Sequence, residues 1–443
     1  MLIEFTVGNF RSIAEKATLS MIAAPIKSGP HAAHLDKENL IYINEKLSLL
    51  KTAAIYGANA SGKSNLLSGL KAMGAFMRGS VNAQSQSIYP YEPFLLMEGY
   101  DDEPAHFEIV FLLNDMQHRY GFEVSKERVE REWLYFAPKS REALLFERTG
   151  SLVKIGNAFK GASRLENLMS EKALFLTVAR DFNAPQAKSV FDWMYRFPFM
   201  SGLSETGGDY TVQCMDQDRN YSEIVEFIRA LDTGISDISL SLSSETAEVE
   251  NGYPKMLREH NGAMIYNESF SPKSKDFTRF VIETEHAIFS RKGEITNKRV
   301  LFNMAKHESE GTRKLFAMSG MIVNVLKNGH LLTIDELDAK LHPILTKKLV
   351  EMFHSEETNP KRAQLIFATH DVNLLSNKLF RRDQIWFAEK NRAGATSLFS
   401  LAEFKVRNDS SYEQSYIEGR YGAIPFPGGF EIQTSNNELD HVG

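Results

Sequence analysis

The sequence predicts an α/β fold that carries an antiparallel β subdomain and an inserted, mainly helical lobe. Three observations predict it. A buried apolar run, Leu50–Tyr56, leads through the loop GANASGKS into a segment of helical spacing. From His106 the pattern alternates with period two, as antiparallel strands do. In the last third, helical and strand-like segments alternate, the pattern of parallel α/β units.

Each element has its own signal. Leu2–Val7 alternates Ile3, Phe5 and Val7 against Leu2, Glu4 and Thr6, and Gly8-Asn9 is a turn signal. Thr18–Ala23 is expected to pair near it. After the glycine loop, Leu66, Leu67, Leu70, Met73 and Phe76 share one broad helical face over Ser64–Met77. "HFEIVFLL", "MQHRYGFEVS" and "REWLYFAP" read as a meander, and "ALLFERTG" with "SLVKIG" as one further hairpin. Helical spacing runs from about Ser163 to Phe197 and again over Tyr221–Leu231. Strand-like alternation returns at Ser236–Val249 and Asp276–Ser290.

The last third begins with "TRKLFAMSGMIVNVLKNG", a helix ended by Gly329, followed by the strand "HLLTIDE". "HPILTKKLVEMFHS" is a helix with Pro343 at an early position, where its missing N–H costs little. "AQLIFATH" and "DQIWFAEK" are further strands. The expected units are 1–150, with the glycine loop and the meander, then 150–235, the inserted lobe. The second half of the head follows at 236–400, and a C-terminal extension at 401–443. The polar residues 433–443 are expected to fray.

Composition narrows the class. The chain has 443 residues, 43% hydrophobic and 24% charged, which fits a soluble globular protein of two or three core-sized units. A net charge of −6 gives no general attraction to nucleic acid, while leaving room for a local basic face. The single cysteine, Cys214, allows no intramolecular disulfide and no thiolate zinc site. It reads as an inert thiol of a reducing compartment. The opening "MLIEFTVGNFRSI" lacks the basic-then-apolar order of a signal peptide, and no apolar run approaches the ~18–20 residues of a membrane helix. The expectation is a cytoplasmic chain without membrane association. Repeats, low-complexity tracts and sustained heptads are absent from the sequence.

Chemistry concentrates in four motifs. Gly57-Ala58-Asn59-Ala60-Ser61-Gly62-Lys63-Ser64 fits GxxxxGK[ST] in full, between a strand and a helix. The glycines let the backbone wrap a phosphate, and Lys63 brings a point charge to the terminal phosphates. The Ser64 hydroxyl is a Mg²⁺ ligand, and the helix N-terminus faces the anion. The adjoining Asn65 belongs to the same nucleotide-binding set.

In "HLLTIDELD" the apolar run ends on Asp335-Glu336. Asp335 is placed to hold Mg²⁺ with Ser64, and Glu336 to polarise the attacking water. Two acids after a strand often only cap a helix; the P-loop upstream decides for the catalytic assignment. His370, in "FATHD", ends a further strand, where it can meet the γ-phosphate. A lone histidine is usually structural, and here its order after the P-loop and the acid pair decides. "HESEGTRKLF" places Ser309, Glu310, Gly311 and Thr312 at a helix start, with Gly311 lying 24 residues before Asp335 (335 − 311). Ser309 can cap that helix. The P-loop already offers a helix end to the ATP on its own chain, so this second anion-binding end is expected to serve another subunit's ATP.

In this order the P-loop, SEGT-type signature, acid pair and histidine resemble the head of the ABC-type ATPases. The opening "VGNFRSI" is similar to the SMC and RecF-like branch, not to transporters. In that branch the arginine after Asn-Phe, here Arg11, reaches the nucleotide. "LDAKLHP", Leu337–Pro343, resembles its D-loop, with Asp338 near the dimer centre. "YEPFLL", "LDTGI", "HESEGTRKLF", "IDELDAKLHP" and "EGRYGAIPF" together resemble the RloA/AbiL-like abortive-infection ATPases of bacterial defence operons. The resemblance covers nearly the whole chain. It implies a P-loop ABC-ATPase head, ATP and Mg²⁺ as cofactors, and slow hydrolysis. It also implies a homodimer or higher homo-oligomer through shared ATP, and an effector, a nuclease or toxin, from a neighbouring gene. Two departures stand out. The signature reads SEGT where many relatives have SGGE or SGGQ. No Q-loop glutamine is evident; Tyr91–Phe94 falls where that loop belongs, with Glu92 in the place of Gln.

The leading expectation is therefore a nucleotide-gated defence ATPase that holds an effector. A repair or chromosome-handling ATPase acting on DNA directly would need coiled-coil arms or a basic face, and pairs such as Lys347-Lys348 and Arg381-Arg382 read as solvated charges. A built-in nuclease of the OLD type lacks room, since only 73 residues follow His370 (443 − 370). A transporter subunit conflicts with the opening motif. "EGRYGAIPF", Glu418–Phe426, either meets a partner through Arg420 and Tyr421 or ties the chain end onto the core.

Overall fold

One long helix, Lys63–Gly79, packs against two sheets of opposite character. In the computed structural model the first is a six-stranded sheet in the order Phe199–Ser201, Leu331–Asp335, Gln364–Ala368, Thr52–Tyr56, Ile385–Lys390, Thr396–Ser400. Its first five strands are parallel and the last is antiparallel. Thr52–Tyr56 and Gln364–Ala368 are buried at every position, as central parallel strands covered on both faces must be. The structure describes residues 1–29, 32–82, 89–138, 141–203, 207–231, 233–246, 249–250, 253–254, 276–406 and 410–425.

The second sheet has seven antiparallel strands. Leu2–Gly8 lies between Ala17–Ser20 and Ala105–Leu113, and the meander continues through Met116–Val124, Val129–Ala137, Ala143–Thr149 and Leu152–Ile155. The expected boundary at residue 150 thus cuts the last hairpin, and the sheet ends at Ile155. A third sheet of three antiparallel strands, Ile235–Thr246, Asp276–Phe289 and Ile295–Asn303, leads into the signature segment. Its last strand is exposed at most positions, so it carries no alternating apolar signal.

Residues 150–235 hold the expected helices, but these divide between two cores. Phe175–Asp181 and Pro185–Tyr195 pack with the P-loop helix and the antiparallel sheet. Gly208–Asp216 and Tyr221–Ala230 pack with helices Glu310–Asn328 and Pro343–His354. Between the two pairs runs the strand Phe199–Ser201, whose register pairs Ser201 with Asp335. The two pairs thus bury their apolar faces in different cores, so the segment is woven into the rest of the fold.

The C-terminal "EGRYGAIPF" docks on the head over its described part. Tyr421 is 5% exposed, its ring stacks on Phe387 at 5.6 Å, and the Ala423 N–H donates to Glu389 at 3.0 Å. Arg420 pairs with Glu418 on the surface. Of the two readings, these contacts favour the tie onto the core. Phe426, residue 232 of "LDTGI" and the segment 433–443 lie outside the described residues.

Candidate functional site

The P-loop joins the central strand to its helix through a left-handed backbone. Gly62 has φ of 106°, and a Cβ there would stand 2.1 Å from the Thr396 hydroxyl, so only glycine fits. Thr396 donates to the Ser61 carbonyl at 2.8 Å and contacts the Ser12 hydroxyl at 2.8 Å. The Asn65 amide donates to Ser12 at 2.7 Å. Residues more than 300 positions apart thereby set the shape of the loop.

A cleft of about 540 Å³ opens over this loop. It is lined by Asn59 through Asn65, by Glu336 and His370, and by Lys390. The structure therefore brings together the P-loop, the second acid and the histidine, as the sequence motifs require. The Lys63 ammonium donates to the carbonyls of Gly57 at 2.9 Å and Ala58 at 3.1 Å. Burial lowers its pKa to about 8, against the opposing pull of Asp335, Glu336 and Asp338. Burial, then the charge of Lys63, lowers the His370 pKa and so favours the neutral imidazole, against the opposing pull of Asp338, Glu336 and Asp335.

Asp335 closes its strand beside the loop. Among the described residues its Oδ1 is buried without a hydrogen-bond partner, and so is the Ser61 hydroxyl. An orphaned carboxylate oxygen whose charge reaches Lys63 is what a Mg²⁺ site needs. Mg²⁺ takes few protein ligands and completes its shell with phosphate and water, so Ser64 with Asp335 fits it. Glu336 follows in a left-handed conformation, φ 54°, uncommon for a side chain with a Cβ and frequent at functional sites. The turn sends the Leu337 N–H back to the Ala368 carbonyl at 3.1 Å and leaves Glu336 on the cleft wall. Asp338 accepts from the Thr369 hydroxyl at 2.6 Å and from the His370 N–H at 3.2 Å, which positions the histidine loop.

Other expected residues lie apart. Arg11 does not line the cleft. Its side chain makes two bonds to Glu92, at 2.8 and 3.3 Å, and its N–H donates to the Glu92 carbonyl at 2.6 Å. The arginine and the acid at the Q-loop position thus occupy each other. Asn65 borders the cleft but spends its amide on Ser12. Ser309, Glu310, Gly311 and Thr312 are also absent from the cleft wall. Ser309 caps helix Glu310–Asn328 by accepting from Thr312 N at 3.1 Å, and its end is exposed. Sequence reasoning missed Lys390, Thr396 and Ser12. Lys390 ends a strand that pairs with the P-loop strand, and the C-terminal ends of parallel strands are where ligands bind.

The family model described as "AAA domain, putative AbiEii toxin, Type IV TA system" matches residues 53–160 and 214–376, more than half of the chain. The chain belongs to this family. The matched blocks of this AAA-domain protein contain the P-loop, the signature segment, Asp335, Glu336, Asp338 and His370, and they leave out Arg11 and Lys390. No curated protein matches the chain. Among solved structures the AAA-domain chain is similar to the SMC head domain from Thermotoga maritima, at 12% identity over 90% of this chain and 98% of that one, with a TM-score of 0.43. It is also similar to an SmcHead bound to the C-winged helix domain of ScpA, at 14% identity over 90% and 97% of the two chains, TM-score 0.43. Among the described residues no helix is long and apolar enough to cross a membrane.

Proposed function

We propose that this AAA-domain chain binds and hydrolyses ATP, closes head to head on a second copy around two shared ATPs, and so acts as a nucleotide-gated scaffold that controls an effector in bacterial anti-phage defence. One observation carries the shared site. The cleft holds the P-loop, Glu336 and His370, while the open N-terminus of helix Glu310–Asn328 lies outside it on the same chain. Each chain then supplies the phosphate loop of one site and the signature end of the other. The toxin–antitoxin description of the family is in keeping with a system of more than one component.

In this reading the P-loop amides and Lys63 hold the phosphates, and Lys390 adds a second cation at the cleft rim. Glu336 accepts a proton from the attacking water, and neutral His370 bonds the γ-phosphate. Ser64 and Asp335 would hold a Mg²⁺ ion, which would neutralise charge on the phosphates. Binding energy at two shared γ-phosphates closes the dimer, because only the closed state contacts both. Hydrolysis removes that difference and reopens it.

Ser309→Arg tests the assignment of the signature end. The variant binds ATP as a monomer with wild-type affinity but fails to double its mass when ATP is added. Loss of ATP binding in this variant would place Ser309 in its own chain's site and refute the shared arrangement.

Direct binding of nucleic acid is a second reading. Arg291, Lys292 and Lys298 are exposed around the turn between strands Asp276–Phe289 and Ile295–Asn303, a local excess of positive charge on an acidic chain. Salt-dependent binding of a random 30-base-pair duplex, weakened by Lys298→Glu, would move this reading ahead.

A further inference from the structure

The signature helix rests on its own chain's catalytic loop at three points. Lys314, five residues past the cap Ser309, is 1% exposed, and its ammonium donates to the carbonyl oxygens of Leu337, at 3.0 Å, and Ala339. Glu310 pairs with Lys340 at 3.3 Å. Gly311 lies so close that a Cβ there would stand 3.0 Å from the Lys340 carbonyl oxygen.

The loop held in this way is the one that carries the chemistry. Glu336 stands at its start. Asp338 lies between the two carbonyls that Lys314 binds, and its carboxylate fixes Thr369 and the His370 N–H. One buried ammonium therefore connects the signature helix to both groups expected to act on the γ-phosphate. No carboxylate lies within ion-pair distance of Lys314 among the described residues. Burying a charge is unfavourable, and at Lys314 the two loop carbonyls and the nearby charges of Asp338 and Glu336 offset that cost. The ammonium is therefore held by this loop, and any shift of the helix is felt at both carbonyls.

We propose that Lys314 is a positioning residue that couples the two ATP sites of the dimer. When the signature end of one subunit grips its partner's ATP, the helix moves, and Lys314 carries that movement to the carbonyls of Leu337 and Ala339. Glu336 and Asp338 are then set against the ATP of their own subunit. Each site becomes competent only when the other ATP has been gripped. This role rests on the shared-ATP reading above. It predicts a sigmoidal dependence of turnover on ATP, with a Hill coefficient approaching the number of sites.

The test compares the full-length wild type with Lys314→Met and Lys314→Arg. Three quantities are measured for each: affinity for a fluorescent ATP analogue, solution mass with and without ATP, and turnover across ATP concentrations. In Lys314→Met, affinity and ATP-driven doubling of mass stay near wild type. Turnover falls by about tenfold, within the range of site-to-site coupling, and the curve becomes less sigmoidal than that of wild type. Lys314→Arg restores the sigmoid, because it keeps a charge with several donors. If Lys314→Met does not fold, Lys314→Gln, which keeps a donor without the charge, replaces it in the same comparison. Wild-type turnover and curve shape in the folded variant would overturn the proposal. Joint loss of affinity, dimer and turnover, unrescued by Arg, would also overturn it by showing a purely structural role. A wild-type mass that ATP leaves unchanged would instead refute the shared-ATP reading itself, so the two failures are distinguishable.

Discussion

Beyond the C-terminal end of helix Lys63–Gly79, Glu132 and Arg148 are 0% and 1% exposed, and their bonds are closed on protein. Glu132 accepts from Phe175 N at 2.6 Å, Leu176 N at 3.0 Å and the Tyr120 hydroxyl at 3.0 Å. Arg148 donates to the carbonyls of Gly150, Glu171 and Ala173. At the N-terminal end of the same helix the pattern reverses. Among the described residues, Asp335 Oδ1 and the Ser61 hydroxyl are buried without partners, and Lys63 meets loop carbonyls. The first arrangement caps helix Phe175–Asp181 and joins it to the antiparallel sheet. The second leaves capacity for phosphate and cation. Here the buried charge that is fully paired joins structural elements, whereas the one left open stands beside the phosphate loop.

The largest effect that would break this comparison lies at the closed end. Glu132→Ala orphans two helix N–H groups and an arginine, and the expected loss is about 3–5 kcal/mol of stability. Chemical denaturation measures it, and the surviving folded fraction binds ATP as wild type does. A loss below about 1 kcal/mol would mean that the pair is not structural.

Lys63→Ala is the converse. ATP affinity falls by about 100-fold or more, roughly 2.7 kcal/mol, since the charge facing the phosphates is gone. The melting temperature stays near that of wild type, because Lys63 pairs with no buried acid. Calorimetric titration with ATP reads the first outcome and a thermal melt the second.

A pH-dependent effect sharpens the comparison under the parallel sheet. His354 is buried and contacts the Thr52 hydroxyl at 2.9 Å, and burial lowers its pKa to about 3. A histidine with a depressed folded-state value contributes stability above its unfolded value of about 6.5, and that contribution is lost as pH falls. Between pH 6.5 and about 3 the expected slope is up to ~1.4 kcal/mol per pH unit. His354→Gln flattens that part of the profile in urea titrations; an unchanged slope would assign the acid branch to other groups.

The motifs that the sequence revealed are those whose chemistry is local. The P-loop and the Ser309 cap depend on neighbours within a few residues, so spacing alone pointed to them, whereas Asp335-Glu336 and His370 were assigned by their order after the P-loop. The cleft unites the P-loop with Glu336 and His370. Features made by long-range pairing were not legible. Thr396 and Ser12 shape the P-loop from opposite ends of the chain. Lys390 reaches the cleft only because its strand pairs beside Thr52–Tyr56. The strand Phe199–Ser201 has three residues, too few for a period to appear. Arg11 is adjacent to the right motif, yet Glu92 captures its guanidinium, a contact between residues 81 positions apart.

The most direct test of the shared-site account is the solution mass of Glu336→Gln with and without ATP–Mg²⁺. On this account the substitution removes the proton acceptor and leaves the phosphate loop intact, so bound ATP would not be consumed. The account predicts a monomer without nucleotide and a stable dimer of twice that mass with ATP. A monomer that carries bound ATP, or an oligomer of the same mass with and without it, would contradict the account.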